Sequence, residues 1–230
     1  MSKFENFEVK GGNNQFGDNN TQNNTTNNTT NNHNGGNNND SSGGFIGAAA
    51  GIAGLVWFFF NHIDQIYYYL NFLIFLSVIP SVSAFLILLL TTNVSKTDII
   101  RLVSSTLLAI SLYGLAIIAR SHAPDIIIKV AHQAPSFLDF WKNLSEIGQK
   151  VAVTNFLSAI FIGIAAFFAL LGSVRQFAYS LANSNRTGWW YNIYNFMSPF
   201  SMRLTVALVS ALCGFVWALL NGKIPFPPFS

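Results

Sequence analysis

Residues 68–90 read YYLNFLIFLSVIPSVSAFLILLL, 23 positions without an Asp, Glu, Lys, Arg or His. A hydrocarbon core of about 30 Å takes about 20 predominantly apolar residues at about 1.5 Å of helical rise each, so this stretch predicts a transmembrane helix. Residues 102–119 (LVSSTLLAISLYGLAIIA), 151–172 (VAVTNFLSAIFIGIAAFFALLG) and 204–220 (LTVALVSALCGFVWALL) read the same way. Only 9% of the chain is charged and 51% is hydrophobic, which fits a membrane protein better than soluble domains. The expected fold is an all-α membrane protein with four or five transmembrane helices and an interfacial amphipathic helix, preceded by a polar N-terminal tail.

The fifth candidate span, residues 43–60 (GGFIGAAAGIAGLVWFFF), places glycine and alanine at nine positions before Leu55. It either spans outright or enters the membrane only on assembly. Gly43, Gly47 and Gly51 recur every four residues as GxxxGxxxG, with Gly54 near the same face; Ser210 and Gly214 make a second such pair. Missing side chains let helix backbones approach closely, and in lipid that packing replaces the hydrophobic drive. The stripe either joins copies of the chain or packs against a neighbouring span. Pro80 removes a helical hydrogen bond from the second span and predicts a kink, either a hinge for gating or a static bend, with Ser77, Ser81 and Ser83 near enough to satisfy freed carbonyls.

Lys and Arg come singly between the apolar runs and set topology rather than a nucleic-acid footprint, so no direct nucleic-acid binding is expected. With five spans, Lys3, Lys10, Lys96, Arg101, Arg175, Arg186 and Arg203 share one side, against Arg120, Lys129, Lys142, Lys150 and Lys223 on the other. If residues 43–60 do not span, Lys3 and Lys10 join the second group; both arrangements place the N terminus in the cytoplasm of a multi-pass protein of the bacterial inner membrane. Residues 136–150 (SFLDFWKNLSEIGQK) gather Phe137, Phe140, Trp141, Leu144 and Ile147 on one helical face after a Ser136/Asp139 start, predicting a helix lying on the bilayer surface. In the loop at 173–203, Trp189, Trp190, Tyr191, Tyr194 and Phe196 are read as a headgroup-level belt.

The tail, residues 1–42, has another character. Residues 11–40 contain 14 asparagines, with TTNN repeated at 25–32. So little apolar surface cannot offset chain entropy, and the segment is expected to be disordered as a monomer, although Asn tracts stack as amide ladders in cross-β assemblies. Phe7 and Val9 share one face of an extended strand, Gly11 and Gly12 supply a turn, and Gln15-Phe16-Gly17-Asp18-Asn19-Asn20 follows. This hexapeptide resembles the core of the RIP homotypic interaction motif, an apolar residue, Gln, an apolar residue and Gly, often followed by Asp-Asn-Asn, which assembles as functional amyloid. Asn14 occupies the leading apolar position here. With a tail of this kind joined to several spans, the chain resembles in architecture the small multi-span membrane effectors of bacterial antiviral defence systems, which kill the infected cell by damaging its inner membrane.

Catalytic signatures are missing from the sequence. No Asp, Glu, His or Lys falls within the four strong runs, and no P-loop, GxSxG or HExxH occurs. His62, Asp64, His122, Asp125 and His132 lie in loops without metal-ligand spacing, and Cys213 is the only cysteine. No catalytic residue, metal or cofactor is expected. The expected function is that of a non-enzymatic effector that oligomerises to perturb or permeabilise the membrane in abortive infection. Its partners would be the lipid bilayer, further copies of itself and a cytosolic regulatory protein from the same operon. The alternatives are a small transporter or channel subunit using Ser104, Ser105, Thr106, Ser111, Thr154, Asn155 and Ser158, or a membrane anchor that recruits a cytosolic partner through its tail.

Overall fold

Among the described residues the chain forms eight helices and no strand: α1 (Ser41–Asn61), α2 (Ile63–Thr91), α3 (Lys96–Ser121), α4 (Asp125–Gln133), α5 (Phe137–Asn143), α6 (Glu146–Ser184), α7 (Trp189–Phe196) and α8 (Met202–Leu220). The computed structural model describes residues 41–91, 94–184 and 188–223, with side chains from 51 onward except that of Ser184. The tail up to residue 40, including Gln15 to Asn20, lies outside the described residues. Helices α2, α3, α6 and α8 are long and apolar enough to cross a membrane and contain all four strong runs, so the protein is an all-α multi-pass membrane protein.

Small side chains decide which helix sits in the middle. Within α6, Ala159, Ala165, Ala166 and Ala169 are buried, and a Cβ on Gly163 would stand 3.2 Å from Leu70 of α2 while one on Gly172 would stand 2.9 Å from Thr205 of α8. Side chains of the neighbouring helices fill the space beside these glycines and leave no room for larger residues, and van der Waals contact rather than water exclusion holds such helices together in lipid. Accordingly 44% of the apolar stretch of α6 is buried inside the protein, against 22 to 28% for the other three spans. Helices α2 and α6 run in one direction and α3 and α8 in the other. Arg120 near the end of α3 pairs with Asp64 at the start of α2 (2.8 Å), while Arg101 near the start of α3 lies over the ring of Tyr179 near the end of α6.

The helix expected over 136–150 is broken in two. Helix α5 stops at Asn143, and α6 starts at Glu146 with the Ser145 hydroxyl accepting from the Gly148 N–H at 3.2 Å. Part of its apolar face packs on protein. Phe140 is fully buried, its ring 6.3 Å from that of Phe60 in α1, because α1 roofs this surface; only Leu138 and Ile147 remain exposed. The aromatic loop changes too: α6 continues to Ser184, and α7 carries Trp190 against Phe177 and Tyr194 against Tyr179, leaving Trp189, Tyr191 and Phe196 exposed.

Pro80 lies inside α2 without ending it. Ser77 donates to Ile74 O at 2.7 Å, not to the carbonyl of Leu76 that the proline leaves without its N–H partner. Ser81 turns away from its own helix, donating to Gln176 Oε1 at 2.9 Å with Ser173 Oγ 3.0 Å away. The point where α2 loses an internal bond is therefore where side-chain bonds tie it to α6.

Candidate functional site

Two regions stand apart from ordinary helix packing, one at each end of the bundle. At the first, α1 is seated chiefly on α4 and α5, with further contact to α6 and α2. Ala53, Val56, Phe59 and Phe60 recur at helical spacing and are buried. The Trp57 indole donates to Ala131 O at 3.1 Å, the Phe59 ring lies 5.7 Å from that of Phe156, and Gly54 faces Phe137, whose ring would be 3.9 Å from an added Cβ. The opposite face of α1 is open. A Cβ at Gly51 would meet nothing within 4 Å, and Leu55 and Phe58 are 57% and 55% exposed.

Helical register puts Gly43, Gly47, Gly51 and Leu55 on one line at four-residue spacing, with Phe58 one turn beyond Leu55. The predicted glycine stripe thus divides at its last member: Gly51 belongs to the open face and Gly54 to the seated one. The second pair, Ser210 and Gly214, is exposed on α8, with open space beside Gly214.

At the other end a cavity of about 760 Å³ opens between α3, α6, α7 and α8. Arg101, Arg175 and Arg203 line it, together with Tyr179, Tyr194 and Gln176. The Arg175 guanidinium lies 4.7 Å from the centre of the Tyr194 ring, and that of Arg101 lies 4.9 Å from the centre of Tyr179. Such stacking occupies the face of a guanidinium and leaves its N–H edges to find acceptors. Arg101 finds one in Asp98 at 3.2 Å, whereas Arg175 Nε is buried with no hydrogen-bond partner. Asp98 is itself engaged as the third residue of the α3 capping box with Ser95.

Along the chain these arginines read only as topology signals, and Tyr194 only as part of a belt; Tyr179 and Gln176 carried no signal. What exposes the site is the meeting of three helix ends. Arg101 immediately precedes the run at 102–119, Arg175 lies just past the run ending at 172, and Arg203 immediately precedes the run starting at 204.

The other candidate residues are dispersed. The Ser105 and Thr106 hydroxyls both donate to Leu102 O within their own helix, and Ser111 is exposed. Asn155 donates from Nδ2 to His122 O at 3.2 Å and Val151 O at 3.1 Å, fastening α6 to the end of α3; its Oδ1 and the Ser158 hydroxyl are buried without partners. Asp64 is paired with Arg120, and the Nδ1 atoms of His62 and His122 approach Phe58 O and Ile118 O. Among the described residues no three His, Cys, Asp or Glu side chains converge as a metal site would require, and Cys213 is half-buried in α8. Comparison with protein-family models, with curated proteins and with solved structures finds no match to this chain.

Proposed function

We propose that this protein is a non-enzymatic membrane effector in which α1 assembles with α1 of further copies, and that the assembly perturbs or permeabilises the bilayer. One observation carries the reading: the face of α1 bearing Gly51, Leu55 and Phe58 is open while its opposite face is seated. Lipid alone would be content with any apolar surface; the glycine spacing selects a second helix, because only another backbone gains from the missing side chains. The Gln15 to Asn20 segment supplies the assembly motif upstream, and a cytosolic regulator from the same operon supplies the trigger. By its resemblance to multi-span defence effectors, the setting is the bacterial inner membrane during abortive infection, with the N terminus cytoplasmic. A topology reporter fused at Met1 is expected to read the cytoplasmic side; a periplasmic reading overturns that orientation.

Induced expression in bacteria loaded with a potential-sensitive dye tests the function. Wild type is expected to depolarise the membrane, spontaneously or on phage challenge, and a Gly47→Leu, Gly51→Leu variant made at equal abundance to lose that activity. Normal potential and growth at high protein level, with and without phage, would sink the reading. The buried, unpartnered Asn155 Oδ1 and Ser158 hydroxyl favour a second reading, a transport path along α6. Solute movement in liposomes that is abolished by Asn155→Ala and indifferent to deletion of residues 1–42 would select it.

A further inference from the structure

We infer that the arginine cavity at the α7 end is a binding site for a phosphate group, borne either by a phospholipid headgroup or by a soluble phosphate compound. This inference is independent of how α1 acts. It rests on the donors, their depth and the space they enclose.

The donors come first. None of the residues lining the cavity is acidic, and Asp98 alone answers three guanidinium groups there among the described residues. Planar guanidinium forks match the oxygens of a phosphate in pairs, and charge-assisted bonds of that kind are the strong ones. A buried N–H without a partner is costly, and Arg175 Nε carries that cost until an acceptor arrives. Helix α8 adds to the same field. Its first turn is capped by the Ser201 side chain, which accepts from the Leu204 N–H, and Ser201, Met202 and Arg203 all border the cavity. Unpaired amides and the helix dipole make such an N terminus favourable to an anion.

Depth agrees with the donors. Arg101, Arg175 and Arg203 all sit within three residues of the apolar runs at 102–119, 151–172 and 204–220, and about 1.5 Å of rise per residue puts their Cα atoms at the edge of the hydrocarbon, the level of lipid phosphates. At about 760 Å³ the space is far larger than one phosphate requires. Ile100, Phe200 and Val206 supply apolar wall for whatever the phosphate is attached to. Arg residues that merely snorkel to the interface need neither a shared cleft nor aromatic platforms holding them in place.

The full chain in a phosphate-free maltoside detergent tests this, with two probes: a short-chain phosphatidylglycerol and inorganic phosphate. Saturable binding of at least one is expected, weakening as salt rises. Arg175→Gln and Arg101→Gln are each expected to weaken it about tenfold or more. Arg203→Gln, at an exposed position, is expected to weaken it less, and Lys142→Gln at the opposite end not at all. Phosphatidylglycerol binding that inorganic phosphate does not displace identifies a headgroup site; displacement by inorganic phosphate identifies a site for soluble phosphate compounds. Saturable binding of neither probe, or binding unchanged in every folded arginine variant, overturns the inference.

Discussion

Phe60→Ala is expected to release α1 from its seat while leaving the four spans assembled. The Phe60 side chain is completely buried and stacks obliquely on Phe140, so truncation opens a cavity at the contact between α1 and α5. Removing a buried phenylalanine of this kind costs about 3 to 5 kcal/mol. What then remains at the seat is the Trp57 bond to Ala131 O, the buried Ala53, Val56 and Phe59, and Gly54 beside Phe137. The bundle has separate anchors, the Ser81 bond to α6 and the close approach at Gly163 and Gly172. Hydrogen exchange reads the two regions apart: protection over residues 53–60 and 137–143 should fall by about two orders of magnitude or more, as that free energy implies, with residues 159–173 unchanged. A uniform loss of protection, or none, would contradict the separation. In the effector reading the same variant depolarises cells without a trigger.

The second large effect is expected at Gly172. A Cβ there would stand 2.9 Å from Thr205 Cγ2 and 3.0 Å from its Oγ1. Thr205 is buried and β-branched, with few χ1 rotamers in a helix, and its Cβ also lies 3.3 Å from the added atom, so rotating the side chain alone does not relieve the contact. Gly172→Ala should destabilise the protein by about 1 to 3 kcal/mol through overpacking. Gly172→Val adds two more carbons and should lower the unfolding midpoint further. Gly114→Ala is the control: open space surrounds that position, so the substitution gains up to about 1 kcal/mol of helix propensity and should leave the midpoint unchanged or raised. Thermal unfolding in one detergent compares all three, and equal midpoints for Gly172→Val and wild type would show that α6 and α8 do not meet as described.

The four spans were legible because hydrocarbon thickness is a length criterion that a sequence meets or fails by itself. The seat of α1 was not, for a specific reason. Phe137, Phe140, Trp141 and Leu144 have the same spacing whether lipid or protein covers them, and only the fold reveals Phe60 as the cover. The break at Leu144 and Ser145 was equally hidden, since a serine hydroxyl caps a helix only where the chain also turns. Glycine spacing drew attention to α1 and α8, yet among the glycines from residue 51 onward the tightest contacts with neighbouring side chains are at Gly163 and Gly172, nine residues apart on α6 and facing different partners, so no small-xxx-small pattern joins them. The arginine cavity was visible only as charges flanking apolar runs. That they converge depends on the directions of α3, α6 and α8, which the spacing of charges along the chain does not encode.

Helix α6 runs unbroken for 39 residues, about 58 Å at about 1.5 Å per residue, nearly twice the thickness of the hydrocarbon it crosses. Phe156 near its beginning touches the seated α1, and Arg175 and Gln176 near its end stand in the cavity wall. Among the described residues it has no internal proline to break its ladder of backbone hydrogen bonds. Any ligand that prefers one setting of α6 biases the α1 seat by the same free energy with which the seat biases the ligand. One continuous helix thus carries residues of both the α1 seat and the arginine cavity, so neither region can be re-aimed along α6 without reference to the other.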